Sequence, residues 1–509
     1  MENRQNSRTE KFVKNIIGSA ILQIVTIITG FISPKLMLTA FGSEINGITS
    51  SITQFISYLT LVEAGLSNAT IFALYKPLAD NDKKERDSII TASKISYYRI
   101  GFVFVALSVI LAIFYPYIGH TDVINNFELS ILVLILCCNS TINFFVLAKY
   151  RTLLTADQCG YWVSAASSVQ LVAHLIIVYL GIKAGFGVLL VRGLGICSLF
   201  LTSIILSIIV RVKYGKINYH ATPNMKALDK RWDAMFIQIL GVVETGAPVV
   251  IMTAILNFKQ ISVYTIYNMI AGSVSSCISV FTSGLSASFG NIYALGDKDL
   301  LKKTSEEFRV AFYILITVVY SVMLITLIPF VSIYTNGISD VNYVLPLFGI
   351  LITLKGLIYN FRAPHGMLVL SFGKFKKIKR QSLTQTVIII IATWFLTKRY
   401  GLNGSMIALC IANVYMLVEL LILSKKELFQ TSVLKNIRQI IQSLVIVFGL
   451  YFISSRIQYQ PSNYIEWLIY ACVVGVISLV VTISVSLALD FKNVIKVGNR
   501  IKSFLIRGK

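Results

Sequence analysis

Apolar runs too long for a soluble core recur along this chain, and each is closed by a short basic loop. The stretch from Asn46 to Tyr75 shows the unit. It holds about 30 mostly apolar residues, where a bilayer crossing needs about 20. It carries one carboxylate, Glu63, ends Ala64-Gly65-Leu66-Ser67, and gives way to a charged loop, Lys76 through Arg86. A backbone that crosses hydrocarbon must satisfy its own hydrogen bonds, so such runs fold as helices. The expected fold class is all-α, a polytopic membrane protein of about 14 transmembrane helices. The expected spans are 15–40, 46–74, 97–118, 127–148, 162–181, 186–210, 234–256, 261–287, 309–333, 342–361, 383–398, 402–423, 437–454 and 464–489.

The charge balance agrees. Only 14% of the 509 residues are charged and mean hydropathy is +0.75, against about 25% charged in a soluble chain. A net charge of +23 raises nucleic acid as a partner, but the basic residues sit in short loops between apolar spans rather than on one basic domain. No nucleic-acid partner is expected. With the N-terminus inside, 38 of the 46 lysines and arginines fall in cytoplasmic segments, 6 in outer segments and 2 within spans. One missed helix would scramble that alternation, so it supports both the count and an orientation with both termini cytoplasmic. No segment outside the spans is long enough for a soluble catalytic domain, and an enzyme is not expected. The seven cysteines, at 137, 138, 159, 197, 277, 410 and 472, show no metal spacing and read as small core residues. Arg4, Arg8, Lys11 and Lys14 precede an apolar run longer than a signal-peptide core, which reads as a retained first helix.

The ending of the second span returns in the eighth, as Gly284-Leu285-Ser286-Ala287, before a second charged loop, Asp297 through Arg309. Tyr150-Arg151 after span 4 is echoed by Phe361-Arg362 after span 10. These echoes predict two pseudo-symmetric six-helix lobes, 1–211 and 234–424, joined by a cytoplasmic linker at 212–233. Residues 425–509 would add two extra helices and a basic tail. Six is even, so both lobes run in the same sense, with a site at their interface.

Ionisable residues inside spans are functional candidates by default. Glu63 forms a polar stripe with Thr60, Ser67 and Thr70 at helical spacing. Glu244 lies one turn before Pro248, which should kink its helix. His174, Arg192 and Lys355 complete the set, with Lys35, Arg151 and Arg362 near span ends. Each has a structural alternative: Lys355 and Arg362 snorkelling to the interface, Arg192 paired as ionic glue, Glu63 and Glu244 bound to hydroxyl or backbone donors, and His174 as a satisfied core histidine. A cavity holding Arg192, Lys355, Lys35, Arg362 and Arg151 would attract anions. Glu63, Glu244 and His174 are candidates for proton or sodium coupling, and no other cofactor is expected.

Fourteen spans in a 6+6+2 arrangement, with Glu63-Ala64-Gly65-Leu66-Ser67-Asn68-Ala69, the stretch from Tyr150 to Gln158 and Phe372-Gly373-Lys374, resemble Wzx-type flippases. These form the polysaccharide-exporter branch of the multidrug/oligosaccharidyl-lipid/polysaccharide (MOP) superfamily. The resemblance implies a V-shaped two-lobe transporter in a bacterial cytoplasmic membrane. Such a protein flips undecaprenyl-diphosphate-linked oligosaccharide to the outer leaflet by alternating access, for capsule- or O-antigen-type polysaccharide. It further implies a cationic cavity served by Arg192 and Lys355, ion coupling at Glu63, and as partners the lipid-linked oligosaccharide, membrane lipids and a glycan polymerase. Alternative readings are a cation-coupled drug antiporter of the sister MATE family, which predicts an acidic cavity, and a lipid II flippase. A membrane-embedded glycan polymerase would need larger outer loops than this chain offers. Rocking of the lobes would bend the chain where bending is cheap, at Gly65 and Pro248.

Overall fold

The computed structural model describes residues 2–507 apart from His120, 229–230, 295–297, 372–374, 426–432 and Gln458. Phe372-Gly373-Lys374 of the resemblance and part of the second charged loop lie outside the described residues. The described residues form fifteen α-helices, two 3-10 turns and a π-turn. Helix α1 (Glu2–Leu59) leads through a 3-10 turn (Thr60–Glu63) into α2 (Leu66–Ala79) and α3 (Lys83–Ile118). Helix α4 (Asn126–Ile142) passes through the π-turn (Asn143–Leu147) into α5 (Ala148–Ala156). Helices α6 (Gly160–Lys183), α7 (Val188–Tyr214), α8 (Arg231–Ile255) and α9 (Phe258–Ala294) follow. After them come α10 (Lys298–Tyr334), α11 (Pro346–Phe361), α12 (Ala363–Ser371), α13 (Phe375–Ser424), α14 (Val433–Ile457) and α15 (Tyr464–Arg507).

Among the described residues, ten helices are long and apolar enough to cross a membrane. Two of them are too long for one crossing. Glu10–Glu63 has 54 residues and Ile378–Ser424 has 47, lengths of about 80 and 70 Å against a hydrocarbon core of about 30 Å. Each is divided by a glycine outside helical space, Gly42 (φ 79°, ψ 175°) and Gly401 (φ 59°, ψ −139°). The divided pieces, with the shorter apolar helices Ile239–Ile255 and α11, bring the described apolar segments to the expected fourteen. The chain is a multi-pass, all-α membrane protein.

The packing is that of a protein dissolved in lipid. On α3, Phe102, Ile113 and Phe114 point outward, while Ser93, Ser96, Gly101, Phe104 and Ser108 are buried. Small and hydroxylated residues face inward because neighbouring helices gain by close approach, and the apolar outer face loses nothing in hydrocarbon. Gly101 shows the requirement: a side chain there would run into the Phe145 ring. The cysteines follow the same inversion. Cys138, Cys197, Cys277 and Cys472 are exposed rather than core residues, whereas Cys137, Cys159 and Cys410 are buried.

The chain divides into two compact units, Met1–Ser262 and Val263–Lys509. In the first, α6 packs on α7 and α1, α3 on α4, and α8 on α1. In the second, α10 is the central helix, flanked by α15, α14 and α11, with α13 against α11.

Loop-end clamps hold the first unit together. Asp157, just beyond α5, accepts from Lys11 of α1 at 3.0 Å and from Lys213 and Tyr214 at the end of α7, both at 2.7 Å. Asn15 adds two further bonds, donating to the Gln158 carbonyl and accepting from the Tyr161 amide. Burial alone would raise the Asp157 carboxyl, but the hydrogen bonds from Lys213, Tyr214 and Lys11 outweigh it and hold the group below the usual carboxylate range. A depressed folded-state value stabilises the fold above the ordinary carboxylate range, and that contribution disappears as pH falls through the folded value. Asp157→Asn should therefore lower the melting point at pH 7, by about 1–3 kcal/mol of stability. Melting curves of wild type and variant should converge as pH falls toward 3; a gap independent of pH would contradict the assignment.

Candidate functional site

The first unit contains a cavity of about 320 Å³ between α1, α4, α6 and α7, within the usual range for ligand sites of about 300–1,000 Å³. Arg192, one turn into α7, and His174, on α6, both line it. Asn139, Ser140, Gln170 and Ser198 contribute amide and hydroxyl groups, and none of the described lining residues is acidic. The Gly195 carbonyl organises one wall. It accepts from Ser198 at 2.7 Å and lies 3.1 Å from His174 Nδ1. A carbonyl only accepts, so Nδ1 carries the hydrogen and Nε2 is left to exchange a proton or meet a ligand. Gly195 must be glycine here, because any Cβ would press into the imidazole. The buried Nε of Arg192 has no hydrogen-bond partner among the described residues. A buried guanidinium without a carboxylate is costly unless an anion or water completes it. The cavity wall thus combines one cation with neutral polar groups.

Glu63 lies elsewhere in this unit, and the structure corrects its expected setting. It is not mid-helix: the 3-10 turn ends on it, Ala64 is extended (ψ 128°), and Gly65 adopts the left-handed region (φ 80°) before α2 begins. The continuous stripe with Thr60, Ser67 and Thr70 is thus interrupted, and Thr70 is buried against Ser93. Tyr97 donates to Glu63 Oε1 at 3.1 Å and is also hydrogen-bonded to Ser67. Arg151 is close enough for its charge to act on both Glu63 and Tyr97. It donates to Asn143 Oδ1 at 3.2 Å. Asn143 opens the π-turn, an irregularity that often marks a working site because it redirects the side chains that follow. Glu63 and Arg151 thus meet at two irregular backbone segments. The second copy of the motif differs, since α9 runs through Gly284 without a break.

The remaining predicted residues are dispersed. Lys35 is half-buried on α1 beside Pro34. Glu244 is half-buried on α8, which continues as helix through buried Pro248 and sets Gly246 against Gln54 and Tyr58 of α1. In the second unit, Lys355 on α11 acts electrostatically on Cys410 of α13, and the Arg362 guanidinium stacks 4.2 Å over the Tyr359 ring.

Several polar groups were not foreseen. Tyr97 is the donor to Glu63, and Gln170, Asn139 and Ser198 complete the cavity wall. In the second unit Arg309 and His365 are both buried, at 4% and 3% exposure. His365 lies between the Tyr313 hydroxyl (3.4 Å) and Ser424 Oγ (3.2 Å). Arg309 reads as a loop charge because it begins an apolar run; only its packing reveals its burial.

No protein-family model matches the chain, and no curated protein does. Solved structures do match. The lipid II flippase MurJ in an inward closed conformation superposes with a TM-score of 0.70 at 14% identity, covering 94% of this chain and 99% of its own. An inward-facing multidrug resistance MATE family transporter gives 0.64 at 13% identity, over 86% and 98%. A MOP superfamily transporter from Pyrococcus furiosus, described as having a binding pocket of reversed polarity, gives 0.60 at 13% identity, over 86% and 96%. The fold is that of MOP superfamily transporters.

Tyr97→Phe should remove the donor to Glu63 while keeping the ring, at a cost of about 1 kcal/mol. In an Arg151→Ala background the same change should cost a different amount, because the three groups act together. Strict additivity in denaturation measurements would show that they are independent.

Proposed function

We propose that this protein is a flippase carrying undecaprenyl-diphosphate-linked oligosaccharide from the inner to the outer leaflet of a bacterial cytoplasmic membrane, for capsule- or O-antigen-type polysaccharide. The observation that carries the reading is the Arg192–His174 cavity, which offers one cation, neutral polar groups and no carboxylate among its described lining residues. A diphosphate head group is an anion that such a wall can hold, while a lipid tail stays in hydrocarbon. The resemblance to Wzx-type flippases and the MOP transporter fold support the same class. MurJ is a lipid II flippase, so lipid II stands as the nearest alternative cargo. A drug-cation antiporter is disfavoured by the absence of an acid in that wall.

In this mechanism the lobes 1–211 and 234–424 rock against each other to alternate access, with Gly65 and Pro248 absorbing the bend. Both termini lie in the cytoplasm, as the basic loops indicate. Arg192 binds the diphosphate, with Lys35, Arg151, Lys355 and Arg362 as further cationic contacts along the route. Glu63 takes and releases a proton or sodium ion; when it is neutralised, Arg151 loses its counter-charge at the Gly65 break. Glu244 and His174 are secondary coupling groups. A glycan polymerase is the expected downstream partner.

The test is a flipping assay with a lipid-diphosphate oligosaccharide in proteoliposomes. Arg192→Ala should lower the rate at least tenfold at normal insertion, Arg192→Lys should retain part of it, and Glu63→Gln should remove its dependence on an ion gradient. Full activity of Arg192→Ala would reject the cavity as the cargo site. Efflux of organic cations without flipping would favour the antiporter.

A further inference from the structure

A second cationic cluster lies in the first unit, apart from the cavity. Lys94 on α3 and Lys149 on α5 both project over the ring of Tyr219, at 5.2 and 5.3 Å from its centroid. Lys94 also lies 5.6 Å from the Tyr98 ring, and Lys149 lies 5.1 Å from the Tyr150 ring. Tyr150 and Tyr219 are hydrogen-bonded to each other. The two ammonium groups can be no farther apart than their two distances to the shared ring laid end to end, and their charges act on one another. Neither has a carboxylate partner among the described residues.

The acid whose charge reaches Tyr219, Asp87, is already committed. Asp87 accepts twice from Arg86, at 2.9 and 2.7 Å, and once from the Asn218 amide at 3.0 Å. Those bonds, with Thr91 donating to the Asn218 carbonyl and Ser88 to the Thr222 carbonyl, fasten the loop that carries Tyr219 onto α3. The ring is therefore held in place rather than laid there by two wandering lysines. Burial, then the neighbouring Tyr150, pushes the Tyr219 phenol well above its ordinary range; it donates its hydrogen to Tyr150, whose own hydroxyl hydrogen is left for a ligand. Two like charges brought together on a fixed aromatic platform repel, and cation–π attraction of about 0.5–2 kcal/mol each offsets only part of that. An anion with oxygens on two phosphorus atoms would bridge the pair.

The geometry points to a diphosphate-binding site formed by Lys94, Lys149 and the Tyr150 hydroxyl on the Tyr219 platform, separate from the Arg192 cavity. On the proposed topology it opens to the cytoplasmic side, where a lipid-linked diphosphate would arrive, so its place in transport rests on the flippase reading. The binding chemistry does not.

The test uses full-length protein in phosphatidylcholine nanodiscs and sodium pyrophosphate as the calorimetric probe, in an Arg192→Ala background that removes the cavity contribution. We expect one remaining binding event, weakened at least tenfold by Lys94→Gln with Lys149→Gln and kept within about threefold by the double change to arginine. No pyrophosphate binding in the Arg192→Ala protein, or unchanged affinity in the double glutamine variant, overturns the site. Should the double variant fail to insert, the single lysine-to-glutamine changes decide: each must weaken binding, and no effect from either overturns it. Phosphatidic acid added to the nanodiscs separates the sources. Competition assigns the site to bilayer head groups as well, and no competition assigns it to diphosphates. A protein that binds pyrophosphate through these lysines yet flips no lipid-linked oligosaccharide would refute the flippase reading and leave the site standing.

Discussion

Hydrocarbon offers no hydrogen-bond partner to an exposed peptide group, and that constraint governs where this chain departs from the helix. The departures are few and sharp: Gly42, the Ala64–Gly65 break, the π-turn at Asn143–Leu147, Gly401 and Asp490. Gly42 and Gly401 divide helices that would otherwise overrun the bilayer. The break at Gly65 and the π-turn have another character, because Glu63 and Arg151 gather beside them. At both irregularities polar side chains bond one another: Tyr97 donates to Glu63, and Arg151 donates to Asn143.

Charge is then distributed by a simple rule. Where a carboxylate meets cations at the loop ends, as at Asp157 and Asp87, the contacts are short, multiple and structural. Where cations stand without a carboxylate among the described residues, as at Arg192 and at the Lys94–Lys149 pair, neutral polar side chains and aromatic rings surround them.

The fold was largely legible in the sequence because hydropathy and loop charge answer to the bilayer, which acts on every residue alike. The same logic located Arg192 and His174 but said nothing of their juxtaposition, which depends on Gly195 letting the α6 imidazole approach α7. Glu63 was expected inside a regular helix, and a Gly-Leu-Ser triplet cannot signal a break, since its second copy at Gly284 lies in unbroken helix. Arg309 and His365 escaped notice for another reason. Their burial is produced by α13 and α15, far along the chain, and no local pattern encodes it. The cysteines were misjudged because apolar runs in a membrane have two insides, one of protein and one of lipid.

The Asp157 clamp also bears on how the protein is made. One carboxylate joins Lys11, near the start of the chain, to Lys213 and Tyr214, at the end of α7. The clamp can therefore be completed only after α7 has followed α1 into the membrane, because two of its three partners lie at the end of that helix. Until then α1 is tied to this corner only through Lys11 and the two bonds of Asn15. The first unit thus closes like a ring whose clasp is the last piece to emerge, and assembly order is written into the position of a single aspartate.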